Sequence, residues 1–190
     1  MQRGRASALS EEMRVSAVPQ EVRLSAVSYV VLGFVEWAGQ ATPYRLKQLV
    51  ARSVGNFWTL QHAQLYTEPE RLAKAGYLTE ERERGGRRRK LYTITDKGRE
   101  ALEEWRAEPT DAIPELRSPA LLKLFFGADP AALAPLQIEA HRRKLAEYEA
   151  IRDSMPDSVP EGPRLALDAG IAATRQQIRW WRQFVANDEQ

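Results

Sequence analysis

The stretch RERGGRRRKLY, residues 82–92, places a pair of glycines inside a strongly basic run, in which six of the first nine residues are Arg or Lys. Strand-like runs flank the glycines on both sides, YLTEERER at residues 77–84 and RRKLYTI at residues 88–94. Glycine tolerates the backbone angles of a tight reversal, where β-branched residues would clash. The stretch therefore predicts a β-hairpin with a positively charged tip and a turn at Arg84-Gly85-Gly86-Arg87.

Two helices are predicted N-terminal to the hairpin from apolar spacing and capping residues. Apolar residues on most faces predict a buried first helix over Leu24–Ala38, which Gly39 ends. Thr42 as N-cap and Pro43 at the first helical position predict the start of a short second helix. The segment SVGNFWT that follows, residues 53–59, is predicted to be a loop.

A third helix is predicted to lead directly into the hairpin, and a fourth to follow it. We expect Thr59 to be the N-cap of a helix that continues to Ala75. Thr95 is expected to cap the fourth helix, with Leu102 and Trp105 facing inward. Three helices followed by a two-stranded hairpin are the order of a winged helix-turn-helix. In that fold the third helix enters the DNA major groove and the hairpin lies against the backbone.

The second half of the chain is predicted to be helical throughout. Ser118-Pro119 begins a short helix, Asp129-Pro130 begins a long one that reaches about Met155, and a last helix is expected over residues 164–187. The predicted fold class is therefore mainly α, an N-terminal winged helix-turn-helix followed by a C-terminal helical domain. We place a flexible N-terminal extension at residues 1–21, the winged domain at residues 22–108 and the helical domain at residues 109–190.

Composition excludes several classes of protein. The 190 residues include no cysteine, which excludes disulfides and thiolate metal sites, and the two histidines, His62 and His141, lie far apart without metal-ligand spacing. We find no P-loop, no Gly-rich dinucleotide turn and no acid–His–Ser arrangement, so we expect no enzyme, no metal and no cofactor. With no signal peptide and no apolar run long enough to span a bilayer, the sequence predicts a cytoplasmic protein without membrane association.

Charge is divided unevenly along the chain. Residues 1–107 hold 18 Lys and Arg against 13 Asp and Glu, whereas residues 108–190 hold 10 against 13. A basic first half indicates a polyanionic partner, because clustered positive charge attracts nucleic acid. A solvated charged hairpin is the alternative for the basic run. Its position after a capped pair of helices favours contact with phosphates instead.

The segment QLYTEPERLAKAGYLTEERERGGRRRKLYTITDKGREAL, residues 64–102, resembles the signature region of the PadR-type transcriptional regulators. The shared motifs are Leu65-Tyr66, Leu72, Gly76-Tyr77-Leu78, the basic wing Arg87–Lys90 and the helix start Thr95-Asp96-Lys97-Gly98. The segment ELRSPALLKLFFG, residues 115–127, with a long charged helix and a final Trp-bearing helix, resembles the C-terminal dimerisation region of the members with longer tails. The likeness covers roughly residues 24–187. It implies a homodimeric repressor that binds an inverted-repeat operator on double-stranded DNA and is released by a small aromatic effector.

One residue departs from the pattern that this resemblance implies. Pro69 stands where many members have Leu, inside the third helix, and a proline there removes a backbone hydrogen bond and tends to kink the helix. The half of the helix from Thr59 to Glu68 is then expected to face the groove. Glu68 and Glu70 flank that half, and we do not expect them to touch phosphate.

The candidate DNA-binding residues lie on the second helix, the third helix and the hairpin. They are polar, aromatic or cationic side chains that can bond to bases or phosphates: Tyr44, Thr59, Gln61, His62, Gln64, Tyr66, Thr67, Arg84, Arg87, Arg88, Arg89 and Lys90. An ordinary solvated helix face is the alternative for the polar residues. Tyr44 could equally pack in the core, and Tyr66 is expected to be part core and part phosphate contact.

Apolar spacing in the second half indicates a seam between helices. The candidate dimerisation residues are Leu121, Leu124, Phe125, Ile138, Leu145, Tyr148, Ile171, Ile178, Trp181 and Phe184. The resemblance also implies an aromatic effector near the dimer interface, for which the candidate pocket residues are Trp37, Trp105, His141 and Trp180. Ordinary packing is the alternative for all four, because large aromatics commonly fill helical interfaces.

Two other function classes remain open at the level of sequence. One is a winged helix that uses its third helix and wing for contacts with proteins, and the other is a small-molecule carrier without an operator. The order of elements and the basic hairpin favour a DNA-binding regulator over both.

Overall fold

A computed structural model describes residues 22–83 and 88–185. The predicted mainly helical fold with a two-stranded antiparallel sheet is confirmed. The predicted N-terminal extension, residues 1–21, and the predicted hairpin turn, residues 84–87, lie outside the described residues. The elements are α1 (Ala26–Ala38), α2 (Pro43–Ala51), α3 (Gln64–Lys74), β1 (Leu78–Arg82), β2 (Lys90–Ile94), α4 (Asp96–Ala107), α5 (Pro119–Phe125), α6 (Pro130–Asp153) and α7 (Glu161–Arg182).

The chain divides into two compact units between Pro109 and Thr110. The first unit contains α1 to α4 and the sheet, and the second contains α5 to α7. Within the described ranges, no helix is long and apolar enough to cross a membrane.

The core of the first unit forms around α1. This helix packs against α2, α3, α4 and β2, which explains why apolar residues occupy most of its faces. It ends at Gly39, whose φ of +69° suits glycine. The buried side chains come from every element of the unit, and those that are almost fully enclosed include Val31, Leu32, Val35, Leu46, Leu65, Leu72, Tyr92 and Leu102.

The third helix starts later than the sequence predicts. A short 3-10 turn at Val54–Asn56 follows α2, and α3 begins at Gln64, so Thr59 is not its N-cap. The half-buried Leu60 packs against the core of the unit, which holds this part of the chain outside the helix. At the actual start, the Gln64 side chain accepts a hydrogen bond from the Gln61 amide at 3.3 Å. Long-range packing of one leucine therefore overrides the local capping signal.

The two strands form the predicted antiparallel hairpin. Leu78 pairs with Ile94 at its base and Arg82 with Lys90 towards its tip. Ala41, just before α2, adds a bridge to Tyr92 through two backbone hydrogen bonds of 3.0 Å. The segment before α2 is thereby joined to the hairpin at the middle of β2.

The fourth helix begins at the predicted cap, with the Thr95 hydroxyl accepting a hydrogen bond from the Gly98 amide at 3.1 Å. Leu102 is buried as predicted, but the inward placement of Trp105 is wrong. Trp105 is about half exposed. It lies near the surface of the unit and stacks flat on the ring of Tyr29, with 4.7 Å between the ring centroids.

The second unit is built on the antiparallel contact between α6 and α7. The predicted caps are present, since Ser118 accepts a hydrogen bond from Leu121 and Asp129 accepts one from Ala131. The predicted bounds of the last helix are wrong at both ends, because α7 starts at Glu161 and stops at Arg182. Pro163 lies in its first turn, where the missing amide hydrogen has no helical partner to lose.

Candidate nucleic-acid interface

The start of α2 presents an exposed aromatic side chain. Thr42 caps the helix by accepting a hydrogen bond from the Arg45 amide at 3.2 Å, and Pro43 occupies the first turn as predicted. Tyr44 is 63% exposed, so it does not pack in the core. Tyr44 therefore lies exposed at a helix N-terminus, a position that favours anions.

The segment that enters α3 carries most of the predicted base-contacting side chains. All of them are exposed, and they are Thr59, Gln61, His62, Gln64, Tyr66 and Thr67. Thr59, Gln61 and His62 precede the helix instead of lying on it, so they belong to the loop before α3. Tyr66 is about half exposed. The structure therefore brings these side chains to one contiguous, solvent-facing segment.

The opposite face of α3 is anchored in the core. Leu65, Leu72 and Pro69 are fully enclosed, and the helix continues through Pro69. Buried with them is Glu68, whose carboxylate accepts hydrogen bonds from the Ser28 hydroxyl of α1 at 2.6 Å and from Arg71 at 2.6 Å. Glu68 is thus turned away from the polar face.

The charge of Glu68 is stabilised by these partners. Burial alone would raise the pKa of the Glu68 carboxyl, but hydrogen bonds from Arg71 and Ser28 outweigh burial and lower it. Arg71 also donates to the Ser28 hydroxyl at 3.0 Å. This Ser28–Glu68–Arg71 network connects α1 to α3 and sets the position of α3 in the unit.

The wing supplies exposed cations next to α3. The Glu83 amide donates to the Arg89 carbonyl at 3.1 Å, which extends the hairpin beyond its last strand pair. Arg88 is exposed with φ of +43°, a backbone conformation typical of tight turns. Arg89 is also exposed, and its side chain pairs with Glu83 at 3.0 Å. Arg84 and Arg87 lie outside the described residues.

Lys90 was predicted to project towards phosphates, and in the structure its side chain contacts two carboxylates. Its ammonium group lies 2.9 Å from Glu70 of α3 and 3.2 Å from Glu80 of β1, and the side chain is 30% exposed. Hydrogen bonds from Lys90 and Lys74 lower the pKa of Glu70 to about 2. The hairpin register places Lys90 against α3. The carboxylates of Glu70 and Glu80 therefore compensate its positive charge. Lys90 thereby joins the wing to α3.

Comparison with known proteins agrees with this architecture. The model of the transcriptional regulator PadR-like family matches residues 31–104, and that of the virulence activator alpha C-terminal region matches residues 116–187. The negative transcriptional regulator PadR of Bacillus subtilis is 26% identical over 178 residues, which cover 84% of this chain and 96% of that protein. The first unit of the chain matches the PadR-like family of transcriptional regulators. This family consists of regulators and not of enzymes.

Solved structures show the same PadR-like fold. The Bacillus subtilis PadR in complex with operator DNA superposes with a TM-score of 0.73 at 23% identity, covering 84% of this chain and 96% of that one. The same regulator in complex with p-coumaric acid gives a TM-score of 0.67 at 19% identity, covering 85% and 96%.

The predicted effector residues of this PadR-like chain are divided between its two units. Trp105 and Tyr29 line a surface cavity of about 400 Å³, together with the carboxylates of Glu104 and Glu108. Trp37 lies outside that cavity and packs edge-on against Phe34. His141 and Trp180 belong to the second unit, where Trp180 packs edge-on against Trp181 and burial lowers the pKa of His141.

The predicted dimerisation residues fall into two groups in the structure. Most are enclosed within one chain, where they form or pack against the α6–α7 contact: Leu124, Ile138, Leu145, Tyr148, Ile171, Ile178, Trp181 and Phe184. Leu121 is half-buried, and Phe125 is 83% exposed. Trp181 is only 1% exposed in a single chain. It therefore packs inside the protomer and not, as predicted, against a partner.

Two exposed aromatic residues next to the predicted base-contacting segment were not indicated by the sequence patterns. Phe57 and Trp58, in the loop between α2 and α3, are 66% and 48% exposed. The sequence predicted this segment only as a loop. The composition around these two residues is nevertheless distinctive, because residues 37–67 contain no Asp or Glu.

Proposed function

We propose that the protein is a homodimeric repressor that binds an inverted-repeat operator on double-stranded DNA in the cytoplasm. The observation that carries the proposal is the Lys90 contact with Glu70 and Glu80, which holds the basic wing at a fixed position beside α3. A major-groove helix and a wing against the neighbouring backbone must be fixed relative to each other to read one DNA site.

The two parts of the interface have different tasks in this proposal. The polar side chains around the start of α3, among them Gln61, His62 and Gln64, contact base edges and select the sequence. Tyr44 at the α2 N-terminus and the wing arginines Arg88 and Arg89 neutralise phosphates and supply affinity that falls with salt. The Bacillus subtilis relative has been solved with operator DNA, which supports the same partner for this chain.

The second unit forms the homodimer in this proposal. Exposed apolar side chains around α5 and α6 supply the contact surface, including Phe125, Phe126 and Leu136, which are 83%, 77% and 72% exposed. Such exposed apolar surface favours association between protomers. Two identical DNA-reading heads related by a twofold axis require an inverted repeat in the DNA.

A small molecule releases the repressor from DNA in this proposal. The relative from Bacillus subtilis has been solved with p-coumaric acid, and the cavity lined by Tyr29 and Trp105 has a volume within the usual range of ligand sites. Packing of an aromatic compound there would act on α1 and α4, which carry these two rings.

The salt dependence of duplex binding tests the proposal. With a duplex enriched from a random pool, we expect log affinity to fall linearly with log salt, and Arg88→Ala with Arg89→Ala to reduce the slope by about 2. The matched control is Arg142→Ala with Arg143→Ala on α6, which should leave the slope unchanged. A protein-interaction module or a small-molecule carrier predicts instead that no duplex is bound specifically.

A further inference from the structure

Phe57 and Trp58 lie on a loop whose backbone is held firmly against α2. The amides of Phe57 and Trp58 both donate to the Val54 carbonyl, at 3.1 and 2.9 Å. The Ser53 hydroxyl donates to the Leu49 carbonyl at 2.7 Å. Gly55 approaches so closely that an added Cβ would lie 2.8 Å from the Val50 carbonyl oxygen. These contacts fix the direction in which the two aromatic side chains leave the loop.

The loop presents both rings to solvent. Phe57 is 66% exposed and Trp58 is 48% exposed, whereas Val54 and Leu60 on either side of them pack against the core. Core packing therefore does not account for Phe57 and Trp58. Adjacent exposed aromatic rings on an ordered loop are typical of a surface that contacts a partner.

The charge around the loop indicates which partner this is. Residues 37–67 contain no Asp or Glu, while Arg45, Lys47 and Arg52 on or next to α2 are cationic. The predicted base-contacting side chains before α3 begin directly after Trp58, at Thr59. A segment without acidic residues that carries cations and leads into the base-contacting side chains suits a polyanion much better than a protein surface.

We infer that Phe57 and Trp58 bind duplex DNA, packing against the deoxyribose rings and thymine methyl groups of the strand at the edge of the major groove. This inference rests on the proposed function and adds a contact to it. Thymine methyl groups and sugars are the apolar surfaces that DNA offers at this place. Because such contacts release no counterions, they contribute affinity that does not depend on salt.

The test measures the affinity of the wild-type protein and of Phe57→Ala, Trp58→Ala and Trp58→Phe across a series of salt concentrations. The probe is a duplex recovered with the wild-type protein from a random pool. We expect each alanine variant to lower affinity roughly tenfold, about 1.4 kcal/mol, at every salt concentration, with an unchanged slope. Trp58→Phe should retain most of the affinity, because it keeps an aromatic ring.

Two controls distinguish a direct contact of the rings with DNA from a general effect of truncation or unfolding. Ile113→Ala truncates an even more exposed apolar side chain outside the winged domain elements and should bind like the wild type. Circular dichroism should show that the alanine variants remain folded, because both rings are exposed. If the wild type binds the duplex and Phe57→Ala and Trp58→Ala bind equally well, this inference is overturned while the proposed function stands. If the wild type selects no duplex, both fail.

Discussion

At the scale of single residues, Gly98 fixes how closely α4 approaches the strands. A Cβ on this residue would overlap the Tyr77 carbonyl oxygen and lie 2.8 Å from Ile94 Cγ1. Thr95 also donates its hydroxyl to the Tyr77 carbonyl, at 3.0 Å. Because residue 98 carries only a hydrogen atom in place of a side chain, α4, β1 and β2 can pack together at this point.

We expect Gly98→Ala to destabilise the first unit by about 3 kcal/mol, because the added methyl group overpacks a contact with the backbone. The control is Gly33→Ala in α1, where nothing lies within 4 Å of an added Cβ. That change should stabilise the protein by about 0.5–1 kcal/mol through helix propensity. Urea denaturation of both variants measures the difference, and equal effects would contradict this account of Gly98.

Glu68 is the second residue whose surroundings lead to a prediction. Arg71→Ala leaves its buried carboxylate with only Ser28 as a partner, which should cost about 1–3 kcal/mol of unfolding free energy. Lys74→Ala, which removes only an exposed pair with Glu70, should cost less than about 0.5 kcal/mol. Denaturation of the two variants side by side checks this, and a cost for Arg71→Ala as small as that for Lys74→Ala would refute it.

The Glu68 network also predicts a dependence on pH. Its folded pKa is lowered, so its contribution to stability is present above the unfolded pKa and is lost as pH falls through the folded value. Denaturation at a series of acidic pH values should therefore show a smaller acid-induced loss of stability for Glu68→Gln than for the wild type. Identical pH profiles would contradict a charged Glu68 in the folded protein.

At the scale of elements, the contact between α3 and the wing is carried by a few charges. Lys90 lies between Glu70 of α3 and Glu80 of β1, and Glu80 also accepts a hydrogen bond from the Tyr92 hydroxyl at 3.1 Å. Burial and this hydrogen bond raise the pKa of Tyr92 to about 12. The hairpin is thus attached to α3 by side chains as well as to Ala41 by its backbone.

We expect Lys90→Gln to raise the pKa of Glu70 from about 2 towards its ordinary value of 4.5, because the main stabilising partner of the carboxylate is lost. Above that ordinary value the contact is fully formed in the wild type, and it weakens only as pH falls towards 2. NMR titration of the Glu70 carboxyl measures both values. Arg89→Gln, which alters a neighbouring wing cation, should leave the pKa of Glu70 near 2, and a similar shift in both variants would argue against the contact.

The same elements show which features sequence patterns could predict. The caps at Thr42, Thr95 and Ser118 were predicted correctly because each depends on hydrogen bonds within a few residues. The start of α3 was predicted wrongly because Leu60 packs against distant residues. The pairing of Lys90 with Glu70 was not predictable, since it joins residues 20 positions apart through the hairpin register.

At the scale of the whole molecule, the two units separate DNA reading from association in our proposal. The spacing of apolar residues on α7 predicted a seam, but spacing alone does not distinguish a helix of the same chain from a partner's helix. For Trp181 the structure shows that the packing partners belong to its own chain. Exposed residues such as Phe125 and Phe126 are therefore the ones to test for dimerisation.

We expect Phe125→Ala with Phe126→Ala to dissociate the dimer without unfolding the second unit, because both rings are exposed in a single chain. Trp181→Ala should instead lower the unfolding free energy by about 3–5 kcal/mol, as truncation of a buried aromatic does. Sedimentation at several protein concentrations, with circular dichroism, distinguishes the two effects. An unchanged dimer in the Phe125/Phe126 variant would place the interface elsewhere.

The most direct test of the central claim, that two wings and two α3 helices read one operator, is selection of bound duplexes from a random pool with the full-length protein. We predict enrichment of an inverted repeat whose half-sites are separated by about one or two turns of the double helix. Failure to enrich any sequence, or enrichment of a single asymmetric half-site, would contradict the account.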